Sequence, residues 1–310
     1  MGARIGIDVG GTFTDFILTR DDAPPLLHKV LSTPADPSIA VVTGLAELAA
    51  MVDQGRGVES FVASIETIVH GTTVATNATL TGTGAKSALL TTEGIRDALE
   101  MRRGIREEQY NNAYTNVKPL VPRYLRAGVK GRLDRAGREI APLDLAGIDA
   151  AIAEFRREGV EAVSICFMNS YANPAHEAAA AERVRAAMPD AFLTVSSTLL
   201  PSIRFYERVS TTALNSYVGP RLNRYVEQLV SRLASAGFRG TLLIMQSNGG
   251  VMAPEVARSS PALTLLSGPA GGPGAGLFYA KALGVDRAIT TDMGGTSFEA
   301  FCRAEGFRGR

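Results

Sequence analysis

The chain opens with Ile5, Ile7 and Val9 separated by Gly6 and Asp8. A period of two marks a half-buried strand. Gly10-Gly11 breaks the run and Phe16-Ile17-Leu18 resumes it, which predicts a β-hairpin with a glycine turn. From Ser38 to Met51 the period becomes helical, with Val41, Val42, Leu45, Leu48 and Ala49 on one face. Ile65 to Val69 reads as a strand. It runs into His70-Gly-Thr-Thr-Val-Ala-Thr-Asn-Ala78, a glycine and hydroxyl turn that opens a helix. Ser87 to Thr91 is a further strand.

Residues 102–142 break the pattern, with many charges, Asn111-Asn112, Pro119, Pro122 and Gly131. They read as a loop-rich insertion on a regular scaffold. Regularity returns with a helix face at Ile148, Ala151, Ile152 and Phe155 and a strand from Val160 to Phe167. Asn173 is placed as an N-cap with Pro174 at the first helical position, the helix reaching about Ala187. Phe192 to Val195 is a strand. Val218, Leu222, Tyr225, Val226, Leu229 and Leu233 form one face of a long helix. Leu242 to Met245 reads as a strand ending in Gln246-Ser-Asn-Gly-Gly250. Leu263 to Leu266 reads as a strand entering Ser267-Gly-Pro-Ala-Gly-Gly272, followed by a helix through Leu277, Phe278 and Ala280. Ala288 to Met293 is a strand that stops at Gly294-Gly295. Strands alternating with helices imply α/β layers.

Composition narrows the field. Over 310 residues, 32 Lys and Arg balance 31 Asp and Glu, a net charge of +1, so no electrostatic footprint for nucleic acid or anionic lipid is present. The length suits two domains. Two cysteines, Cys166 and Cys302, make no disulfide framework and no zinc cluster; Cys166 sits in an apolar run that reads as a buried thiol. No secretory leader and no membrane-spanning stretch are read, so a cytoplasmic protein is expected.

One internal echo carries chemistry. Asp8-Val-Gly-Gly-Thr12 recurs as Asp292-Met-Gly-Gly-Thr296, each after a β-branched strand. Glycines let phosphate oxygens approach backbone N–H groups. Thr12, Thr14, Thr296 and Ser297 add hydroxyl donors, and Asp8 or Asp292 can hold Mg²⁺. The alternative for a single copy is a plain glycine turn in a hairpin; two copies point to a nucleotide phosphate clamp. Neither copy has Walker or Rossmann spacing.

Ile5-Gly-Ile-Asp-Val-Gly-Gly-Thr-Phe-Thr-Asp15 resembles the first phosphate hairpin of the actin, sugar kinase and heat-shock chaperone ATPase superfamily. More narrowly, the chain resembles the hydantoinase A/5-oxoprolinase family, which includes acetone carboxylase β subunits. The resemblance rests on that segment and on His70–Ala78, Pro119-Leu-Val-Pro-Arg123, Ser170-Tyr-Ala-Asn-Pro-Ala-His-Glu177 and Tyr206-Glu-Arg-Val-Ser-Thr-Thr212. Met245–Gly250, Ser267–Gly272 and Asp292–Ser297 agree with it. It implies an α/β fold of actin-like ATPase (ribonuclease H-like) lobes: residues 1–198 as a complete first lobe, and 199–310 as the start of a second that is truncated. It implies ATP and Mg²⁺, and phosphorylation of a carbonyl oxygen of a cyclic amide before C–N hydrolysis. It also implies a partner subunit of the hydantoinase B type, and it leaves homo-oligomerisation open. A ketone carboxylase β subunit and an inactive interaction fragment remain as alternatives.

Within this frame Asp8, His70 and Asp292 are the candidate catalytic residues, with Asp8 and Asp292 on the metal. Gly10, Gly11, Thr12, Thr14, Asp15, Thr72, Thr73, Gly294, Gly295, Thr296 and Ser297 are the candidate nucleotide-binding residues. The alternative for Asp8 and Asp292 is a carboxylate capping its own turn, and for His70 a histidine held in a turn by backbone groups. His176 and Arg208 are expected at the surface, Arg208 in an ion pair on its helix. After Ser297 only Ala300-Phe301-Cys302 could begin a return strand, and the polar, glycine-broken run from Arg303 does not continue it: the hairpin should lack its partner, the end should be mobile, and the chain alone should show little ATPase activity.

Overall fold

The computed structural model describes residues 2–52, 57–105, 107–293 and 298–303. The chain packs into two compact units, Met1–Thr83 with Arg221–Arg310, and Gly84–Pro220. The first opens with β1 (Ala3–Val9), β2 (Phe13–Arg20), β3 (Ala23–Leu31), α1 (Pro37–Val52), α2 (Val58–Ala63), β4 (Ile65–Thr72) and α3 (Val74–Leu80). The second contains β5 (Ser87–Thr92), α4 (Ala98–Met101), β6 (Arg126–Val129), β7 (Arg132–Leu133), β8 (Glu139–Ala141), α5 (Leu145–Arg157), β9 (Ala162–Cys166), α6 (Ala175–Ala187), β10 (Phe192–Val195) and α7 (Ser196–Leu199). Helix α8 (Phe205–Ser235) returns the chain to the first unit, the division falling at Pro220 inside it. Then follow β11 (Thr241–Met245), β12 (Val251–Met252), α9 (Pro254–Ser259), α10 (Ser267–Leu283), β13 (Ala288–Met293) and β14 (Phe298–Arg303).

The first unit is built on a sheet of order β12-β11-β4-β1-β2-β3. Its centre, β11, β4 and β1, is parallel, while β1, β2 and β3 form an antiparallel meander. Alternation sorts the residues as the sequence predicts. Ile5, Ile7, Val9, Phe16 and Leu18 face a core shared with Val41, Leu45 and Leu48 of α1 and with Leu222, Val226 and Leu229 of α8. Each such side chain contributes about 1.5–3 kcal/mol by leaving water. That burial, more than intrinsic propensity, holds α1.

The second unit has its own all-parallel sheet, β10-β9-β5-β6. Both β5 and β9 are buried along their whole length, as strands covered on both faces must be. Ile148, Ile152 and Phe155 of α5 and Val184 of α6 pack into the core around Leu89, Leu90, Val163 and Ile165. Asp144 caps α5, its carboxylate accepting from the Gly147 N–H at 3.0 Å.

Several expectations change. Strand β3, on which the sequence pattern makes no prediction, contains Pro24 and Pro25 and is an edge strand, where a missing N–H costs no ladder bond. Residues 261–264 form a 3-10 turn opened by Pro261, in place of the strand expected over 263–266. A short apolar run does not separate strand from buried turn. The insertion is loop-like only to Pro122: its second half supplies β6, which pairs in parallel with β5, and the small β7–β8 ribbon. Finally, β13 has its return strand. β14 pairs along all of it, from Ala288 with Arg303 to Met293 with Phe298. The Phe301 ring packs at Gly272 of α10, where an added Cβ would lie 3.4 Å from the ring. That packing on α10, invisible in a six-residue stretch with Glu299 and Arg303, supports the strand. Residues 304–310 lie outside the described residues. Helix α6 begins at Ala175, one residue later than expected, with the Asn173 side chain accepting from the Ala175 N–H at 3.0 Å.

Candidate active site at the carboxyl ends of the parallel strands

Strands β1, β4 and β11 run in parallel, so their carboxyl ends share one edge of the sheet, the usual location of ligands in such folds. The Gly10–Thr12 turn sits there. Its base is closed by the Gly10 N–H donating to the Phe13 carbonyl at 3.0 Å. An added Cβ at Gly10 would meet that same oxygen at 3.0 Å, a tight contact that favours glycine in the closure. Two braces hold the turn. From one side the Ser32 hydroxyl donates to the Gly10 carbonyl at 2.8 Å and shares a 3.0 Å hydrogen bond with the Thr14 hydroxyl. From the other, both the N–H and the hydroxyl of Thr73 donate to the Val9 carbonyl at 3.1 Å. Gly11 and Thr12 remain exposed. Thr14 is fully buried, and its hydroxyl serves the brace rather than facing outward.

Asp8 and Asp15 are directly opposite each other in the β1–β2 register, on the face away from the core. Asp15 is in turn opposite Lys29, whose ammonium lies 3.0 Å from its carboxylate. Two carboxylates side by side repel unless a cation offsets them. Lys29 is half exposed and supplies this weakly. The pair lines a cleft of about 740 Å³ with Gly6, Ile17, Leu27, Lys29, Met245, Gly268 and Ala275. Helix α10 forms its other wall. The Ser267 hydroxyl accepts from the Thr72 N–H at 3.4 Å and donates to the Thr72 carbonyl at 3.1 Å, locking the helix start to β4. The Leu266 N–H donates to the Thr76 hydroxyl at 2.9 Å.

His70 lies on the opposite face from Asp8. Its Nε2 is 2.7 Å from the Tyr225 hydroxyl, and both residues are buried among the core side chains. Burial alone drives the imidazole down to about 3, so it is neutral at physiological pH. Burial pushes the Tyr225 phenol up, against a hydrogen bond from the Thr72 hydroxyl. Thr72 is also fully buried. His70 and Thr72 thus support the strand end from beneath, and the His70 ring is not aimed into the cleft. Period-two parity carried this signal: His70 shares the face of the core residue Ile68, whereas Gly71 shares that of Asp8.

Asp292 lies on β13 opposite Glu299, and its side chain is outside the described residues, as is the whole of Gly294–Ser297. Among the described residues no group of three or more His, Cys, Asp or Glu converges on a metal position. The Asp8–Asp15 pair nonetheless fits Mg²⁺, which takes one or two carboxylates and completes its shell with water and phosphate.

Other motif residues prove structural. In the second unit Glu177 and Arg208 are fully buried with nitrogen and oxygen 3.5 Å apart. Glu177 accepts from the Phe167 N–H at 2.8 Å, the Ser170 hydroxyl at 2.7 Å, the Ser196 hydroxyl at 2.6 Å and the Ser197 N–H at 2.8 Å. Arg208 donates to Ser170, to Ser196 at 2.8 Å and to the Phe167 carbonyl at 2.8 Å. Arg208 is thus not the surface ion pair expected. Removing either partner would strand a buried charge at about 3–5 kcal/mol. His176 is likewise buried, 3.8 Å from Glu139. Cys166 is buried with its thiol pushed up to about 12, an inert core residue. Ser32, Tyr225 and Ser267 went unrecognised because each acts through a partner distant in sequence.

The chain shares its sequence and fold with known proteins. The model of the hydantoinase/oxoprolinase N-terminal region matches residues 4–188, and the hydantoinase/oxoprolinase model matches 208–306. Caprolactamase subunit alpha of Pseudomonas jessenii is 43% identical over 96% of this chain and 42% of its own length. 5-Oxoprolinase 1 of Arabidopsis thaliana is 30% identical over 95% of this chain and 25% of its own length. The crystal structure of the ATP-dependent caprolactamase from Pseudomonas jessenii superposes with a TM-score of 0.86 over 96% of this chain and 43% of that one. A nucleotide-free acetone carboxylase structure, 25% identical, superposes at 0.88 over 98% and 44%. The chain thus spans less than half the length of these relatives, and its lobes are of the actin-like ATPase type. On matches that run through nearly all of its motifs, the chain belongs to the hydantoinase/oxoprolinase family.

Proposed function

We propose that this chain is the nucleotide-handling part of an ATP-dependent amidohydrolase of cyclic amides. The observation that carries the reading is the Asp8–Asp15 carboxylate pair beside a glycine turn braced on both sides. In this reading the Gly10–Thr12 backbone and the Thr12 hydroxyl receive phosphate oxygens, and Asp8, with Asp15 or Asp292, holds Mg²⁺. The second turn, Gly294–Ser297, completes the clamp. The Mg²⁺ ion, when bound, neutralises charge on the transferring phosphoryl group. The γ-phosphoryl group passes to the amide carbonyl oxygen and ADP leaves. Water then attacks the activated carbon, the C–N bond breaks, the nitrogen takes a proton and phosphate departs. An amide oxygen is a poor leaving group and a phosphate a good one, which is why ATP is needed.

The caprolactamase and 5-oxoprolinase relatives support cyclic amides as substrates. Relatives named as subunits support a separate partner subunit; its hydantoinase B type and its role in the hydrolytic step belong to this proposal. The lobe division at 198/199 belongs to the same proposal. The close superposition on acetone carboxylase favours a second reading, in which the same phosphorylation activates a ketone for carboxylation. ADP release measured with caprolactam, hydantoin, 5-oxoproline and acetone, with and without a B-type subunit, tests both. Stimulation by a cyclic amide is expected. Stimulation by acetone alone would transfer the assignment to the carboxylases, and no stimulation under any condition would overturn both.

A further inference from the structure

Two glycines on different elements enclose one carboxylate oxygen. A Cβ built on Gly71, at the end of β4, would lie 2.9 Å from Asp8 Oδ1; one built on Gly268, in the first turn of α10, would lie 3.0 Å from the same atom. Neither glycine has a positive φ, so neither is there for its backbone conformation. Alanine is ordinarily favoured over glycine inside a helix, and its smaller loss of chain entropy favours it in a strand too. What these positions require is room. Their spacing is fixed independently, since Ser267 binds both backbone groups of Thr72, one residue from each glycine.

We infer that Gly71 and Gly268 are positioning residues for Asp8: together they form a notch that fixes where its carboxylate stands. The inference rests on the reading of Asp8 as a metal-side residue. The atom that a new methyl group would strike is the end of a short side chain rather than backbone. The inexpensive response is therefore rotation of the carboxylate, with the fold left intact. Displacing a group that orients a metal ligand commonly lowers metal affinity about 10–100-fold.

The test is calorimetric titration of ATP in Mg²⁺ and in EDTA into the wild-type chain, Gly71→Ala, Gly268→Ala and Gly274→Ala, alongside thermal unfolding. Gly274 lies further along α10, where an added Cβ would meet nothing within 4 Å, and serves as the control. Gly71→Ala and Gly268→Ala are expected to lose about 10–100-fold in affinity in Mg²⁺ and little in EDTA. Their melting temperatures should be unchanged or raised, and Gly274→Ala should bind as wild type. Each glycine variant is then repeated in an Asp8→Ala background, where no further loss is expected if it acts through that carboxylate. Wild-type affinity in Gly71→Ala and Gly268→Ala, or losses that add in the Asp8→Ala background, overturn the inference while the site reading stands. Wild-type affinity in Asp8→Ala, or a wild-type chain that binds no MgATP, overturns the site reading and the notch with it.

Discussion

An imidazole enclosed between a strand and a helix keeps its neutral form far below the pH at which it would titrate in water. Folded His70 titrates at about 3, against an ordinary 6.5. Unfolded His70 therefore takes up a proton below 6.5 that the folded protein refuses. The stability this contributes is complete above pH 6.5 and is lost as the pH falls from there toward 3, by up to about 1.4 kcal/mol per unit. A glutamine can still hydrogen-bond the Tyr225 hydroxyl, as donor or acceptor, and does not titrate. His70→Gln is expected to flatten the pH dependence of the unfolding free energy between pH 6.5 and 4 by close to one proton. Urea unfolding at a series of pH values measures the slope, and an unchanged slope would show that another group carries it.

At the scale of elements, the site depends on joints between strand ends and helix starts. The Thr73 side chain holds β1, Ser32 holds the hairpin turn, and Ser267 fastens α10 to β4. Ser267 is fully buried, and truncating it leaves Thr72 backbone groups without that partner. Ser267→Ala is expected to destabilise the chain by about 1–3 kcal/mol. Hydrogen exchange at the Thr72 amide should accelerate in the same variant. Wild-type exchange there would mean that the β4–β1 ladder alone protects that amide and that Ser267 is not a joint.

At the scale of the whole molecule, the two units differ in continuity. Gly84–Pro220 is one uninterrupted stretch with its own sheet, its own core and the buried Glu177–Arg208 network. The first unit is assembled from both ends of the described chain, so neither end holds a complete core. Residues 84–220 expressed alone are expected to fold, with α/β circular dichroism and a cooperative thermal transition. A non-cooperative melt would show that the fragment depends on the rest of the chain. Among the described residues no helix is long and apolar enough to cross a membrane.

The elements legible in the sequence are those whose stabilising contacts repeat along the chain. The β1–β2 hairpin, α1, α5 and the long α8 each repeat one apolar interval over several turns or pleats, so pattern alone marks them. The Gly10–Thr12 turn was equally legible as a turn, since a glycine pair between strands breaks the pattern locally. What escaped were features decided by packing that the local pattern does not show. β3 contains Pro24 and Pro25 and is a strand only because β2 offers it an edge; β14 is short and charged and forms against β13 and α10. Arg208 reads as a surface residue until Glu177, distant along the chain, is brought to it, and His70 reads as catalytic until Tyr225 takes its Nε2. Local period fixes which residues share a face. Only packing decides which face meets the core and which the cleft, because the long-range contacts that bury one side are made by segments the local pattern does not contain.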